Sequence, residues 1–159
     1  MIFITLGSQK FQFNRLLKAV DAQIENGSID DEVFAQTGYS DYEPKHYKYK
    51  QFLDRDEFST VTQKSKIVIT HGGTGAIIGA VKKGKKVIAV PRLAKYGEHV
   101  DDHQLQLVKQ FDGMNLIETC YDLDELGKCL KEIKSRTFNT YESNTKTIID
   151  SLEGYISQI

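Results

Sequence analysis

An α/β fold built on a parallel sheet follows from three features of this 159-residue sequence. Short apolar, β-branched runs alternate along the chain with segments of helical spacing, which is the pattern of βαβ units. Residues 66–104 set out one such unit in full. An apolar run at 67–70 leads into the polar turn His71-Gly72-Gly73-Thr74-Gly75, a helical segment runs from Ala76 to a stop at Gly84, and a second apolar run at 87–90 is closed by Pro91. No repeat, low-complexity tract or linker interrupts the order, so a single domain over 1–159 is expected.

The elements follow in sequence. The run IFITL at 2–6 is continuously apolar and ends in Gly7-Ser8, which reads as a central strand. Phe11, Leu16, Leu17, Val20 and Ile24 then keep helical spacing up to the stop signal Asn26-Gly27. Residues 33–36 form a short strand ending in Thr37-Gly38, and 39–44 form a loop. Residues 47–53 read as extended. The alternation of Tyr and Lys across 45–50 fits an edge strand with one face in water, or a basic surface interleaved with aromatics. The net charge of −1 favours the edge strand. Residues 56–65 form a short helix with Phe58 and Val61 turned inward. After the central unit come a helix over 102–111, a short strand at 116–117 and a helix over 124–134. Over 144–159, Ile148, Leu152, Tyr155, Ile156 and Ile159 share one face of a C-terminal helix.

Composition removes several classes of function. The slightly negative charge gives no general attraction to nucleic acid or to an anionic membrane. Cys120 and Cys129 are too few for a disulfide framework, and their spacing fits no zinc or redox motif, so reduced thiols of a cytosolic protein are expected. No apolar run is long enough to cross a bilayer, and the first residues enter a strand without a signal-peptide pattern.

The turns at 7–8, 37–38 and 71–75 fall on one edge of such a sheet, where parallel α/β proteins bind ligands. Glycines allow close backbone approach, and free N–H groups at the start of a helix favour phosphate. The dinucleotide fingerprint fails, because Ile78 holds its third glycine position and no acidic residue ends the next strand. Arg92 stands there and leaves a phosphorylated ribose formally open. Gly79, Gly84 and Lys85 approach a P-loop, but Lys86 replaces its Ser or Thr, and the match runs from helix into strand. Lys82, Lys83, Lys85 and Lys86 read as the solvated end of the crossover helix. His99 and His103, with Asp101 and Asp102 between them, could hold zinc on one helical face. Val100 stands where the metalloprotease pattern needs glutamate, and aspartates suit a helix start, so no metal is expected.

At 71–104 the sequence resembles the nucleotide-sugar-binding C-terminal half of GT-B glycosyltransferases of the family-28 type. The resemblance rests on HGGTG, a helix, an apolar strand with Val-Pro-Arg, then a histidine and a D-x-x-Q-like helix start. The run VPRLAKYGEHVDDHQLQL is particularly similar to small subunits of bacterial capsule and exopolysaccharide synthesis. The chain is also similar to the eukaryotic subunit that adds the second N-acetylglucosamine to lipid-linked oligosaccharide.

The resemblance implies a Rossmann-like sheet and a UDP-sugar donor held by Gly7, Ser8, Thr37, Gly38, Gly72, Gly73, Thr74, Gly75, Arg92, His99, His103 and Gln104. It implies that His71 assists departure of UDP, with no cofactor and no metal. One departure stands out: Gly79 replaces the glutamate that binds ribose hydroxyls in family members. A mid-helix glycine suggests close approach of a ligand or a neighbouring backbone, and packing alone would also explain it. Length is the other departure, since a complete GT-B enzyme has two α/β domains.

The expectation is therefore a donor-binding catalytic subunit of an inverting hexosyltransferase. It would work in the cytoplasm, at the inner membrane face, with a membrane-anchored partner that binds a lipid-linked acceptor. From about Ser151 onward the C-terminal helix would dock on that partner, or else its apolar stripe would pack on the domain's own sheet. The alternative is a non-catalytic nucleotide-sugar-binding module that stabilises a partner subunit.

Overall fold

The computed structural model describes residues 1–7 and 10–140. Ser8 and the expected C-terminal helix at 144–159 lie outside the described residues. Six parallel strands form one sheet: β1 (Ile2–Thr5), β2 (Val33–Gln36), β3 (Lys48–Lys50), β4 (Ile67–His71), β5 (Lys86–Val90) and β6 (Glu118–Thr119). Their order across the sheet is β3-β2-β1-β4-β5-β6. The order reverses direction between β1 and β4, so the chain leaves these neighbours on opposite sides and opens a crevice at their carboxyl ends.

The central strands are apolar throughout because both faces are covered. Ile2, Ile4, Ile69 and Ile88 point to the face covered by α1 (Asn14–Glu25) and α5 (Leu126–Ile133), where Leu16, Leu17, Val20 and Leu130 complete a core. Val68, Val87 and Ala89 point the other way, onto α3 (Thr74–Lys82) and α4 (His103–Gly113), with Ile77, Val108 and Phe111. The remaining helix, α2 (Arg55–Lys64), is capped by the Asp54 side chain accepting from the Glu57 N–H. It reaches the sheet mainly through Phe58, edge-on to Phe3 at 5.3 Å.

Three boundaries differ from the sequence reading. Helix α1 starts at Asn14, since the Gln12 side chain takes the Asn14 N–H and Phe11 turns away to meet His99 at 5.3 Å. Helix α3 starts at Thr74, because only Gly72 and Gly73 are needed to make the turn. The last strand pairs at Glu118 and Thr119 rather than at 116–117. Leu116 and Ile117 are apolar because they pack with Phe111, and the ladder register falls two residues later. The Tyr/Lys run does form the edge strand, with Lys48, Tyr49 and Lys50 all exposed. Lys86 Nζ donates to the carbonyls of Ile133 and Lys134 at 3.0 and 3.1 Å, stabilising the end of α5. Among the described residues, no helix is long and apolar enough to cross a membrane.

Apart from its own helix, no atom of the described residues lies within 4 Å of where a Gly79 Cβ would stand, so no backbone among them explains the glycine. Gly79→Ala should therefore raise stability by about 0.5–1 kcal/mol through helix propensity. Urea denaturation checks this, and a loss of stability would show a close approach that the fold does not display.

Candidate functional site

The carboxyl ends of β1 and β4 are joined by a histidine and a glycine. His71 ends β4, and its Nε2 lies 2.7 Å from where a Gly7 side chain would begin. Gly7 also has φ +71°, so both backbone and space demand glycine there. Gly73 faces the same ring, and a Cβ on it would meet His71 Cε1. Gly72 touches α4 instead: its Cβ would lie 2.7 Å from Gln104 Cβ and 2.9 Å from the Gln104 carbonyl. Two of the turn's glycines are thus packing requirements. They set the angle at which α3 leaves the sheet.

That helix begins without a side-chain cap, on Gly73. The Ile77 N–H already reaches the Gly73 carbonyl at 3.2 Å, which leaves the earlier N–H groups of the first turn outside the helix ladder. The Thr74 hydroxyl beside them is buried and has no partner among the described residues. Gly75 carries open space over its Cα. Free N–H groups, a free hydroxyl and a positive helix end suit an anion.

Arg92 follows β5 and is 1% exposed. Its Nη2 donates to the Leu6 carbonyl at 2.6 Å, and its Nη1 to the carbonyls of Phe11, Glu98 and Gln12 at 2.9, 3.2 and 3.4 Å. Its backbone N–H donates to Gln104 Oε1 at 3.3 Å. The guanidinium therefore braces the loop after β1 against the loop after β5. Carbonyl oxygens take the Nη donors, while Nε is buried with no partner among the described residues. Glu98, 0% exposed, extends the brace by accepting from Arg15 Nε and Nη2 at 2.9 and 3.0 Å and from the Leu93 N–H at 3.0 Å.

Burial, and next the charge of Arg92, pull the His71 pKa down to about 4. Its imidazole is neutral at pH 7; the Gln104 side chain opposes the downward shift, and Nδ1 is buried with no partner of hydrogen-bonding geometry among the described residues. Burial also lowers Arg92 to about 10, which leaves it cationic. His99 and His103 do not share a helix face, since α4 begins at His103. Both lean on Asp101, at 3.2 and 3.4 Å. The His103 backbone N–H above all, and then the two imidazoles, hold the Asp101 carboxyl below its usual range. Gln104 is buried beneath the glycine turn.

Thr37 and Gly38 extend the β2–β3 pairing, donating to the carbonyls of Lys50 and Gln51 at 3.0 and 2.8 Å. The Gly38 Cβ position lies 3.0 Å from the Gly7 carbonyl, which brings these two turns together. Next to them Tyr39 and Phe52 form an exposed edge-to-face pair at 5.4 Å. A groove of about 330 Å³ opens between α2 and α3, floored by Phe3, Thr5 and Val68 and walled by Gly75, Ala76 and Gly79. Gln36 lines it too. Sequence reasoning missed Gln36, Tyr39 and Phe52, although the nearby Thr37-Gly38 turn pointed to their neighbourhood. Recesses of about 390 and 530 Å³ lie at the opposite edge, rimmed by lysines such as Lys85 and Lys86. None of the unpartnered buried polar atoms among the described residues lines either recess. The carboxyl edge is the better site.

The family model for the glycosyltransferase family 28 C-terminal domain matches residues 1–159. The human UDP-N-acetylglucosamine transferase subunit ALG13 is 31% identical over 98 residues, which is 62% of this chain and 7% of that protein. Among solved structures, the glycotransferase of kitacinnamycin gives a TM-score of 0.62 at 14% identity, covering 99% of this chain and 39% of that one. MurG of Acinetobacter baumannii gives 0.53 at 14% identity, covering 98% and 49%. Both likenesses concern the fold. The chain spans less than half the length of each of these relatives.

Two tests follow from this geometry. Arg92→Ala should destabilise the fold by about 3–5 kcal/mol, and Arg92→Lys by nearly as much, since one ammonium cannot span carbonyls on both loops. A lysine variant as stable as the parent in urea would refute the brace. The second concerns pH. His71 is lowered from its ordinary 6.5 to about 4. Below pH 6.5 the unfolded chain binds the proton first, so stability falls as pH drops towards 4, by about 3 kcal/mol in full. His71→Gln should flatten that part of the stability–pH curve; an unchanged slope would put the titration elsewhere.

Proposed function

We propose, for a chain that belongs to the glycosyltransferase family 28 C-terminal domain family, the role of donor-binding, catalytic subunit of an inverting hexosyltransferase. The observation that carries this reading is the uncapped start of α3, with the free Thr74 hydroxyl, set at the point where the sheet order reverses. The donor is a UDP-sugar, in keeping with the human relative, a UDP-N-acetylglucosamine transferase subunit. Its diphosphate sits on the first turn of α3, over Gly73, Thr74 and Gly75. The nucleoside runs across Gly7 and Thr37-Gly38 towards Tyr39 and Phe52, whose exposed rings offer a surface for a base. The sugar points to the other side, where His99, His103 and Gln104 gather.

The chemistry is a single displacement. An acceptor hydroxyl attacks the anomeric carbon from the face opposite UDP, and the bond from that carbon to the β-phosphate oxygen breaks with inversion. Charge develops on the departing phosphate, where fixed N–H groups and the helix end stabilise it. His71 is neutral, so it acts by N–H donation and by holding the turn, not as a cation. No residue of this chain is assigned as general base. That group and the acceptor site belong to a membrane-anchored partner subunit, and the acceptor is a lipid-linked sugar of capsule or exopolysaccharide synthesis. The complex works in the cytoplasm at the inner membrane face.

Calorimetry of the full chain with UDP tests the donor site. Thr74→Val should weaken binding by about 0.5–1.5 kcal/mol, the worth of one hydrogen bond. Gly75→Val should weaken it more by covering the N–H groups, and the open space there lets the variant fold. Unchanged affinity in both variants would place the nucleotide elsewhere.

A further inference from the structure

The groove between α2 and α3 contains a buried acceptor that the fold leaves without a donor. Gln36 ends β2 and is 6% exposed. Its Nε2 donates to the Gly7 carbonyl at 3.4 Å. A carbonyl only accepts, so this contact fixes the amide's orientation: the NH₂ faces Gly7 and Oε1 faces away. Oε1 has no partner among the described residues. Buried acceptors in folded proteins are nearly all paired, and an exception calls for an explanation. The groove that Gln36 lines supplies one. Its α3 wall includes Gly75, Ala76 and Gly79, and apart from the helix itself no atom of the described residues comes within 4 Å of the Cβ position of either glycine. A ligand ring can therefore lie against the helix and reach Gln36.

The position across the sheet indicates which part of a ligand arrives there. The anion site stands over β4, at the start of α3. The Tyr39–Phe52 pair stands beyond β2 and β3. Neighbouring strands are about 4.8 Å apart, so the end of β2 lies about 10 Å from β4, between the two. In a nucleoside diphosphate, the group between phosphate and base is the ribose, and its hydroxyls are donors.

We propose that Gln36 Oε1 accepts a hydrogen bond from a ribose hydroxyl of the bound nucleotide, and that this residue makes the chain select ribonucleotides. The inference rests on the reading of this edge as a nucleoside diphosphate site. Thr5, Gly7 and the α3 glycines shape the groove, while Gln36 supplies its polar recognition.

Calorimetry of the full chain with UDP, 2′-deoxy-UDP and 3′-deoxy-UDP tests it, on the parent and on Gln36→Leu and Gln36→Met. The parent should bind at least one deoxy analogue about ten-fold more weakly than UDP, as expected for one lost hydrogen bond to a buried acceptor. In the variants that ratio should fall to within about two-fold, because no acceptor is left to lose. The ratio is read within one protein, so a general weakening of the fold cancels. Equal affinity of the parent for all three ligands overturns the proposal, whether or not the variants fold, and leaves the UDP site standing. Discrimination that survives in the variants also overturns it, since the hydroxyl is then read elsewhere. No binding of any of the three by the parent removes the nucleotide reading itself, and this inference with it.

Discussion

A single buried guanidinium holds the carboxyl edge of this sheet together. Arg92 heads the fully buried side chains, and a charge in that position is tolerated only because carbonyl oxygens surround it. Those carbonyls come from Leu6, Phe11 and Gln12 on one side and Glu98 on the other. The loop after β1 and the loop after β5 consequently cannot move independently. Phe13 lies under the guanidinium at 5.2 Å, and the Arg15–Glu98 pair ties the same knot to α1. Gly7 and His71 are placed by this arrangement. The Arg92 charge also helps burial to keep His71 neutral. An arginine suits the position because its planar fork can serve several acceptors at once, which an ammonium on a flexible stem cannot.

The strands were legible because a parallel sheet covered on both faces needs continuous apolar runs, and 2–6, 67–70 and 87–90 provide them. Residues 71–75 were legible as a turn because glycine clusters have few other uses. What the turn's glycines do was less visible. Gly72 admits Gln104 of α4, a contact that forms only when distant segments meet, and Gly73 leaves room for the ring of His71 two residues before it. The brace made by Arg92 was hidden for the same reason, since its carbonyl partners lie up to 86 positions away. Gln36 gave no signal at all, since one polar residue closing a short strand is unremarkable until its amide is seen to lack a donor. The strand expected at 116–117 was drawn from apolarity, which reports burial, whereas strand pairing is decided by register.

The two edges of the sheet divide the molecule's chemistry. At the amino edge, lysines such as Lys85 and Lys86 are engaged with backbone carbonyls, including the end of α5. At the carboxyl edge, several buried polar atoms have no partner among the described residues: the Thr74 hydroxyl, His71 Nδ1 and Gln36 Oε1. Free buried polar groups oppose folding, so their collection at one edge is what a preorganised binding surface looks like. A single α/β layer of this family leaves that surface open to one side. Under the proposed function the acceptor-binding partner closes it, and the reacting carbon lies at the seam.

The central claim is that a nucleotide lies across the carboxyl ends of β4, β1 and β2. The most direct measurement is a titration of the ¹⁵N-labelled chain with UDP, followed by backbone amide chemical shifts. The account predicts that Gly7, Gln36, Gly38, Thr74 and Gly75 shift together along one saturable curve, while Lys66, Lys85 and Lys134 at the opposite edge stay in place. Shifts centred on those lysines, with the glycine turn unmoved, would contradict it.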